Sequence, residues 1–141
     1  MKDIVDLIGR IFLAFIFLYE AYDSIFYFKE TKAKMTYYHL EWNQDLLLIG
    51  AILLLLLGGI LILIGYRTGL GVFLVLLYWL PVTFIVHSFW NDPPSEERLQ
   101  AILFMKNIGI TGGLLMIWVN GSGRYSIRRL FATARTPKRF Q

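Results

Sequence analysis

Residues 46–69 read LLLIGAILLLLLGGILILIGYRTG. From Leu46 to Gly65 there is no charged side chain. At about 1.5 Å per residue, a helix of that length covers the roughly 30 Å hydrocarbon core of a bilayer. Tyr66, Arg67 and Thr68 separate this run from a second one, 69–89. So short a link makes the two an antiparallel hairpin. Two further apolar runs, 5–27 and 101–119, flank the hairpin, and the four together take up more than half of the 141 residues. The expected fold is all-α: an integral membrane four-helix bundle forming a single domain over 1–141, with a basic tail at 120–141. The remaining connections cannot bury a separate core, which excludes a soluble catalytic domain.

Composition agrees. Only 17% of residues are charged and 57% are apolar, whereas a soluble domain carries about 25% charged residues. There is no cysteine, so a disulfide framework, a thiolate metal site and a thioether-linked haem are all excluded, and no cofactor is held covalently through sulfur. The net charge of +4 is carried by the tail, where Arg124, Arg128, Arg129, Arg135, Lys138 and Arg139 stand without an acid. It is read as a topology signal and a lipid-facing patch, and not as a nucleic-acid surface.

The first run is too long for a signal peptide. Asp3 and Asp6 spoil its basic region and no small-residue cleavage site follows it. With Lys2, Arg67 and the tail on one side, and Lys29, Lys32, Lys34 and Arg98 on the other, the positive-inside rule places both termini in the cytoplasm. Pro93 and Pro94 stop the third run, and Pro81 is expected to kink it unless a neighbour satisfies the freed carbonyl. Gly58, Gly59, Gly109, Gly112 and Gly113 are read as structural, because small residues let helix backbones approach where lipid gives no hydrophobic drive.

Charges within a span cost roughly 2.5 to 3.5 kcal/mol each on insertion, so each needs a reason. Arg10 is read as structural, its long side chain snorkelling toward cytoplasmic phosphates. Glu20 and Lys106 each lie about 8 Å inside the outer edge, on helices of opposite direction, and are expected to form either a neutralising pair or part of a site. Asp23 and His87 lie within about 3 Å of that edge. Ser24 follows Glu20 by one turn; Trp79, Thr83, His87 and Asn91 repeat every four residues; Lys106 and Asn107 precede Thr111. The candidate ligand-binding set is Glu20, Asp23, His87, Trp90, Asn91, Lys106 and Asn107, around a pocket opening outward between the first, third and fourth spans. No catalytic residue is assigned. No metal site is expected, because only His87 of the two histidines lies in a span and Asp92, Glu96 and Glu97 lack a ligand spacing.

His87-Ser88-Phe89-Trp90-Asn91-Asp92, Phe104-Met105-Lys106-Asn107-Ile108, Thr111-Gly112-Gly113-Leu114-Leu115 and Gly121-Ser122-Gly123 resemble the second half of DoxX-family membrane proteins. Gly58-Gly59-Ile60-Leu61 through Gly65-Tyr66-Arg67-Thr68, and Arg10, resemble the first half more loosely. The family's Gly and Lys near the end of helix one correspond to Ala21 and Ser24, and its helix-two acid to Leu55. Glu20 and Asp23 carry carboxylates instead. The resemblance implies a small bacterial inner-membrane protein, similar to the membrane subunit of a thiosulfate:quinone oxidoreductase.

Three functions fit this sequence. The first is a non-catalytic small subunit or scaffold of a larger membrane or envelope complex, embedded in the lipid bilayer and, as an alternative arrangement, self-associating. The second is the membrane subunit of a quinone-linked oxidoreductase, with a quinone or lipid headgroup in the outer pocket and His87 and Lys106 as hydrogen-bond donors to it. The third is a small transporter or oligomeric channel.

Overall fold

The computed structural model describes residues 1–127, 129 and 130. The tail residues Arg128, Arg135, Lys138 and Arg139, on which part of the charge argument rests, lie outside the described residues. Among the described residues the chain is all-helical: α1 (Lys2–Phe26), α2 (Phe28–Tyr37), α3 (Gln44–Ile64), α4 (Thr68–Val86), a 3-10 turn (Phe89–Asn91) and α5 (Pro94–Asn120), with no strand. Three helical stretches, Gln44–Ile64, Thr68–Asn91 and Pro94–Asn120, are long and apolar enough to cross a membrane. α1 has the length but carries Asp3, Asp6, Arg10, Glu20 and Asp23, and does not meet that apolar standard.

The α3–α4 hairpin is built as the sequence suggests. Gly65 takes φ 69°, and its N–H and that of Tyr66 bond back to the carbonyls of Ile62 and Leu61. That is a left-handed helix end, natural for glycine. Arg67 also adopts a positive φ, 48°, and its carbonyl accepts from Gly71 N–H in the first turn of α4. Where the two helices cross, a Cβ added at Gly58 would lie 2.6 Å from Val75 Cγ2 and 2.8 Å from the Gly71 carbonyl, and one at Gly71 would lie 2.9 Å from the Gly58 carbonyl. Backbone therefore meets backbone at this point.

α1 packs along α3, with Leu18 filling the space a Cβ on Gly59 would need, and it meets α5 where Leu13 lies against Gly113. Phe17, Leu55, Ile62, Val72, Val75, Trp79 and Leu114 form the shared core. Phe17 and Trp79 pack edge to face with centroids 5.1 Å apart.

Three boundaries differ from the sequence reading. The first connection holds a helix, α2, tied to α3 by Lys32 Nζ to Asp45 Oδ1 at 2.8 Å and by Gln44 Nε2 to Thr36 Oγ1 at 2.8 Å. Its polar sequence carries no apolar stripe, which is why it read as loop. α4 ends at Val86 with His87 as its cap, so His87 stands at the helix end, still within the apolar stretch Thr68–Asn91. α5 starts at Pro94, well before Ala101, because proline at the first helical position needs no N–H partner and Glu96 and Glu97 complement the helix dipole. α4 runs through Pro81 without interruption, the proline being exposed on its outer surface.

Candidate functional site

The polar groups of the spanning region sort into two clusters. The first lies between α4 and α5. Trp79 Nε1 donates to the Asn107 carbonyl at 3.2 Å, Asn107 Nδ2 donates to Thr83 Oγ1 at 3.1 Å, and Thr83 Oγ1 donates to the Trp79 carbonyl at 2.7 Å. The bonds close a circuit that begins and ends on Trp79. Thr111 Oγ1 adds a fourth bond, at 2.9 Å, to the same Asn107 carbonyl. Asn107 is 2% exposed and Thr83 0%. These side chains satisfy one another within a closed helix contact. A buried polar network of this kind fixes rotation and register between two helices.

The second cluster is at the opposite end of the bundle. Arg10 has a side-chain exposure of 0%. Its Nε donates to Asp6 Oδ2 at 3.1 Å, one guanidinium nitrogen to the Ile62 carbonyl at 3.4 Å and the other to the Tyr125 carbonyl at 2.5 Å. The side chain therefore ties α1 to the end of α3 and to the segment after α5. It does not extend to lipid phosphates as snorkelling would have it. The guide to this contact was Asp6, four residues before Arg10 on the same helix face, which sequence reasoning had used only against a signal peptide.

The remaining candidates are not gathered into one place. Glu20 accepts a 3.4 Å hydrogen bond from the Tyr78 hydroxyl, and no ion pair joins it to Lys106. Lys106 is exposed, one position round the helix from the buried Asn107, and among the described residues it has no hydrogen-bond or ion-pair partner. Ser24 is 5% exposed and Asp23 half-buried. His87 Nδ1 lies 2.8 Å from Gln100 Oε1, within hydrogen-bond distance. Trp90 is exposed and packs edge to face on Phe89 and Phe104, while Asn91 is exposed in the 3-10 turn. Tyr78 and Gln100 were not singled out from sequence, where nothing separates them from other interfacial residues.

At the same end, Tyr38 follows α2. Burial first, then the charges of Asp92 and Glu96 together with Tyr37, push its phenol above the usual tyrosine value. Asp92 Oδ2 is closed off without a hydrogen-bond partner. Among the described residues no group of three histidine, aspartate or glutamate side chains is placed to hold a metal.

The DoxX family profile matches residues 5–88. The chain belongs to the DoxX family. The match covers α1 to α4, whereas the motifs that suggested the family from sequence were densest beyond Ser88.

The DoxX-family relatives include Inner membrane protein YqjF of Escherichia coli (strain K12), 29% identical over 130 residues, covering 92% of this chain and 94% of that protein. The Surfeit locus protein 4 homolog of Drosophila melanogaster is 30% identical over 129 residues, covering 89% of this chain and 40% of that protein. No solved structure matches the chain. This DoxX-family chain is a multi-pass inner-membrane protein.

Proposed function

We propose that this DoxX-family protein is a non-catalytic small membrane subunit or scaffold, built to pack against other membrane or envelope proteins in a bacterial inner membrane. It has no catalytic activity of its own in this reading. One contrast supports it. The intramembrane hydrogen-bonding groups of Trp79, Thr83, Asn107 and Thr111 are turned upon each other, while α5, the least buried of the spanning helices, keeps Lys106, Gly109 and Gly112 unengaged on its outer face. In this reading all four long helices span and both termini are cytoplasmic. α1 spans because it lies along α3 and because Arg10 and Asp6 neutralise each other. Purification in gentle detergent tests the proposal. A different protein co-eluting at stoichiometric yield is expected, and its consistent absence overturns the scaffold reading.

A second reading, a headgroup pocket for a quinone or lipid, is favoured by the Glu20–Tyr78 and His87–Gln100 contacts. It requires that a quinone analogue bind the purified protein and lose affinity in His87→Ala.

A further inference from the structure

Most glycines in the helix contacts are accounted for within the chain. A Cβ on Gly58, Gly59, Gly71 or Gly113 would strike a neighbouring helix at 3.2 Å or closer. Gly109 and Gly112, like Gly9 and Gly50, are different: nothing lies within 4 Å of a Cβ built on them, and of these only Gly109 and Gly112 fall on one helix. They share the outer face of α5 with Lys106, whose ammonium has no partner among the described residues. A flat strip beside an unpaired cation, in a helix meant for lipid, is half of a contact.

The other half is on α1. Its exposed side carries aromatic rings: Tyr19 is 57% exposed and Phe15 67%, and Tyr19, Tyr22 and Phe26 touch in sequence with centroids 6.2 and 4.3 Å apart. One turn beyond Tyr19 stands Asp23, half-buried and without an ion pair among the described residues.

The depths of the two faces agree. Leu13 against Gly113 sets α1 and α5 level. Counting outward from there at about 1.5 Å per residue, Gly112 and Phe15 lie about 1.5 and 3 Å up, Gly109 and Tyr19 about 6 and 9 Å, Lys106 and Asp23 about 10 and 15 Å. The last gap is one that a lysine's four-carbon stem spans. All copies insert with the same orientation, so the face of α5 meets α1 of a second copy antiparallel, with these depths preserved. A symmetric α5 to α5 contact would instead set Lys106 against Lys106.

We propose that a second copy of this chain docks its α1 onto α5, with Phe15 and Tyr19 over Gly112 and Gly109 and with Asp23 paired to Lys106. Such a contact is head to tail, and it makes a ring where the rotation between copies closes. It rests on the spanning of α1 and not on the scaffold reading, because it involves no other protein.

The absence of cysteine makes the test direct. Two differently tagged copies are co-expressed, one Tyr19→Cys and the other Gly109→Cys, and oxidised in intact membranes. A disulfide-linked dimer is expected from the mixed pair and not from either variant alone. Adding Lys106→Asp to the Gly109→Cys copy should cut cross-linking several-fold, and Asp23→Lys in the other copy should restore it. Gly109→Cys dimers formed without Tyr19→Cys would overturn the proposal in favour of a symmetric contact. Free reaction of Gly109→Cys with a lipid-soluble thiol reagent, with no mixed dimer, would overturn it in favour of lipid. Rescue by the reversed pair excludes misfolding as the cause of a loss.

Discussion

Two side chains illustrate what a buried polar group does when water is out of reach. Arg10 directs three donor nitrogens to Asp6, Ile62 and Tyr125, with no exposed side-chain surface. Arg10→Ala takes the donor from the Asp6 carboxylate, which is a quarter exposed, and from the Tyr125 carbonyl, while the Ile62 carbonyl keeps its bond from Gly65 N–H; the expected cost is at the low end of the about 3 to 5 kcal/mol for removing one member of a buried pair. Arg10→Lys should recover little, since a single ammonium cannot reproduce a planar fork reaching three acceptors. Replacing both partners by Arg10→Met and Asp6→Leu should recover much of the loss. Denaturant titration in detergent measures all three, and an unaffected Arg10→Ala would remove this contact from the account of stability.

Asn107 is milder. Asn107→Leu gives up the bond to Thr83, but the Thr83 hydroxyl keeps its donor bond to the Trp79 carbonyl, so nothing is orphaned. Interhelical hydrogen bonds in membranes are worth about 0.6 kcal/mol on average and about 1.7 at most. The expected loss is about 1 kcal/mol by the same unfolding measurement. A loss as large as that of Arg10→Ala would mean the network does more than fix register.

Among the elements, glycines separate contacts made from contacts left open. Gly58→Ala and Gly71→Ala force the α3–α4 crossing apart, because the atoms met include backbone carbonyls at 2.8 and 2.9 Å, and rigid neighbours give little. Each should cost about 1 to 3 kcal/mol. Gly109→Ala and Gly112→Ala meet nothing within the chain and should leave protomer stability unchanged or slightly raised, alanine being the better helix former. Thermal unfolding of the four variants checks the division.

This is also where the sequence was most and least informative. The hairpin was legible because Gly65 and the apolar runs on either side of Tyr66-Arg67-Thr68 leave one local solution. The α4–α5 contact was legible only in part: Asn107 and Thr83 were marked as polar, but a one-residue step, 100° of helix rotation, decides whether Asn107 or Lys106 faces inward. α2 was not legible, because a polar helix held by Lys32–Asp45 and Gln44–Thr36 leaves no apolar period to read.

For the whole molecule, the crossing of α1 sets the number of spans. Asp3, Asp6 and Arg10 fall in its first turns and Glu20 and Asp23 in its last, leaving a stretch from Ile11 to Tyr19 free of charge. With Arg10 and Asp6 paired, and with Lys2 and Asp3 near one end and Asp23 near the other, a helix of 25 residues, about 37 Å long, has charges clear of the membrane centre. In the proposed four-span arrangement, its packing along α3 carries it across the bilayer. A cysteine-free chain again allows a clean measurement. Cysteines placed at Thr31 and Ser95 should react with a membrane-impermeant maleimide in intact cells, and those placed at Tyr66 and ahead of Met1 only after permeabilisation. If Thr31→Cys and the cysteine ahead of Met1 label from the same side, α1 lies on the surface and the protein has three spans. If all four positions reverse together, the spans stand and the positive-inside assignment falls, because the basic first loop with Lys29, Lys32 and Lys34 would have outweighed the tail.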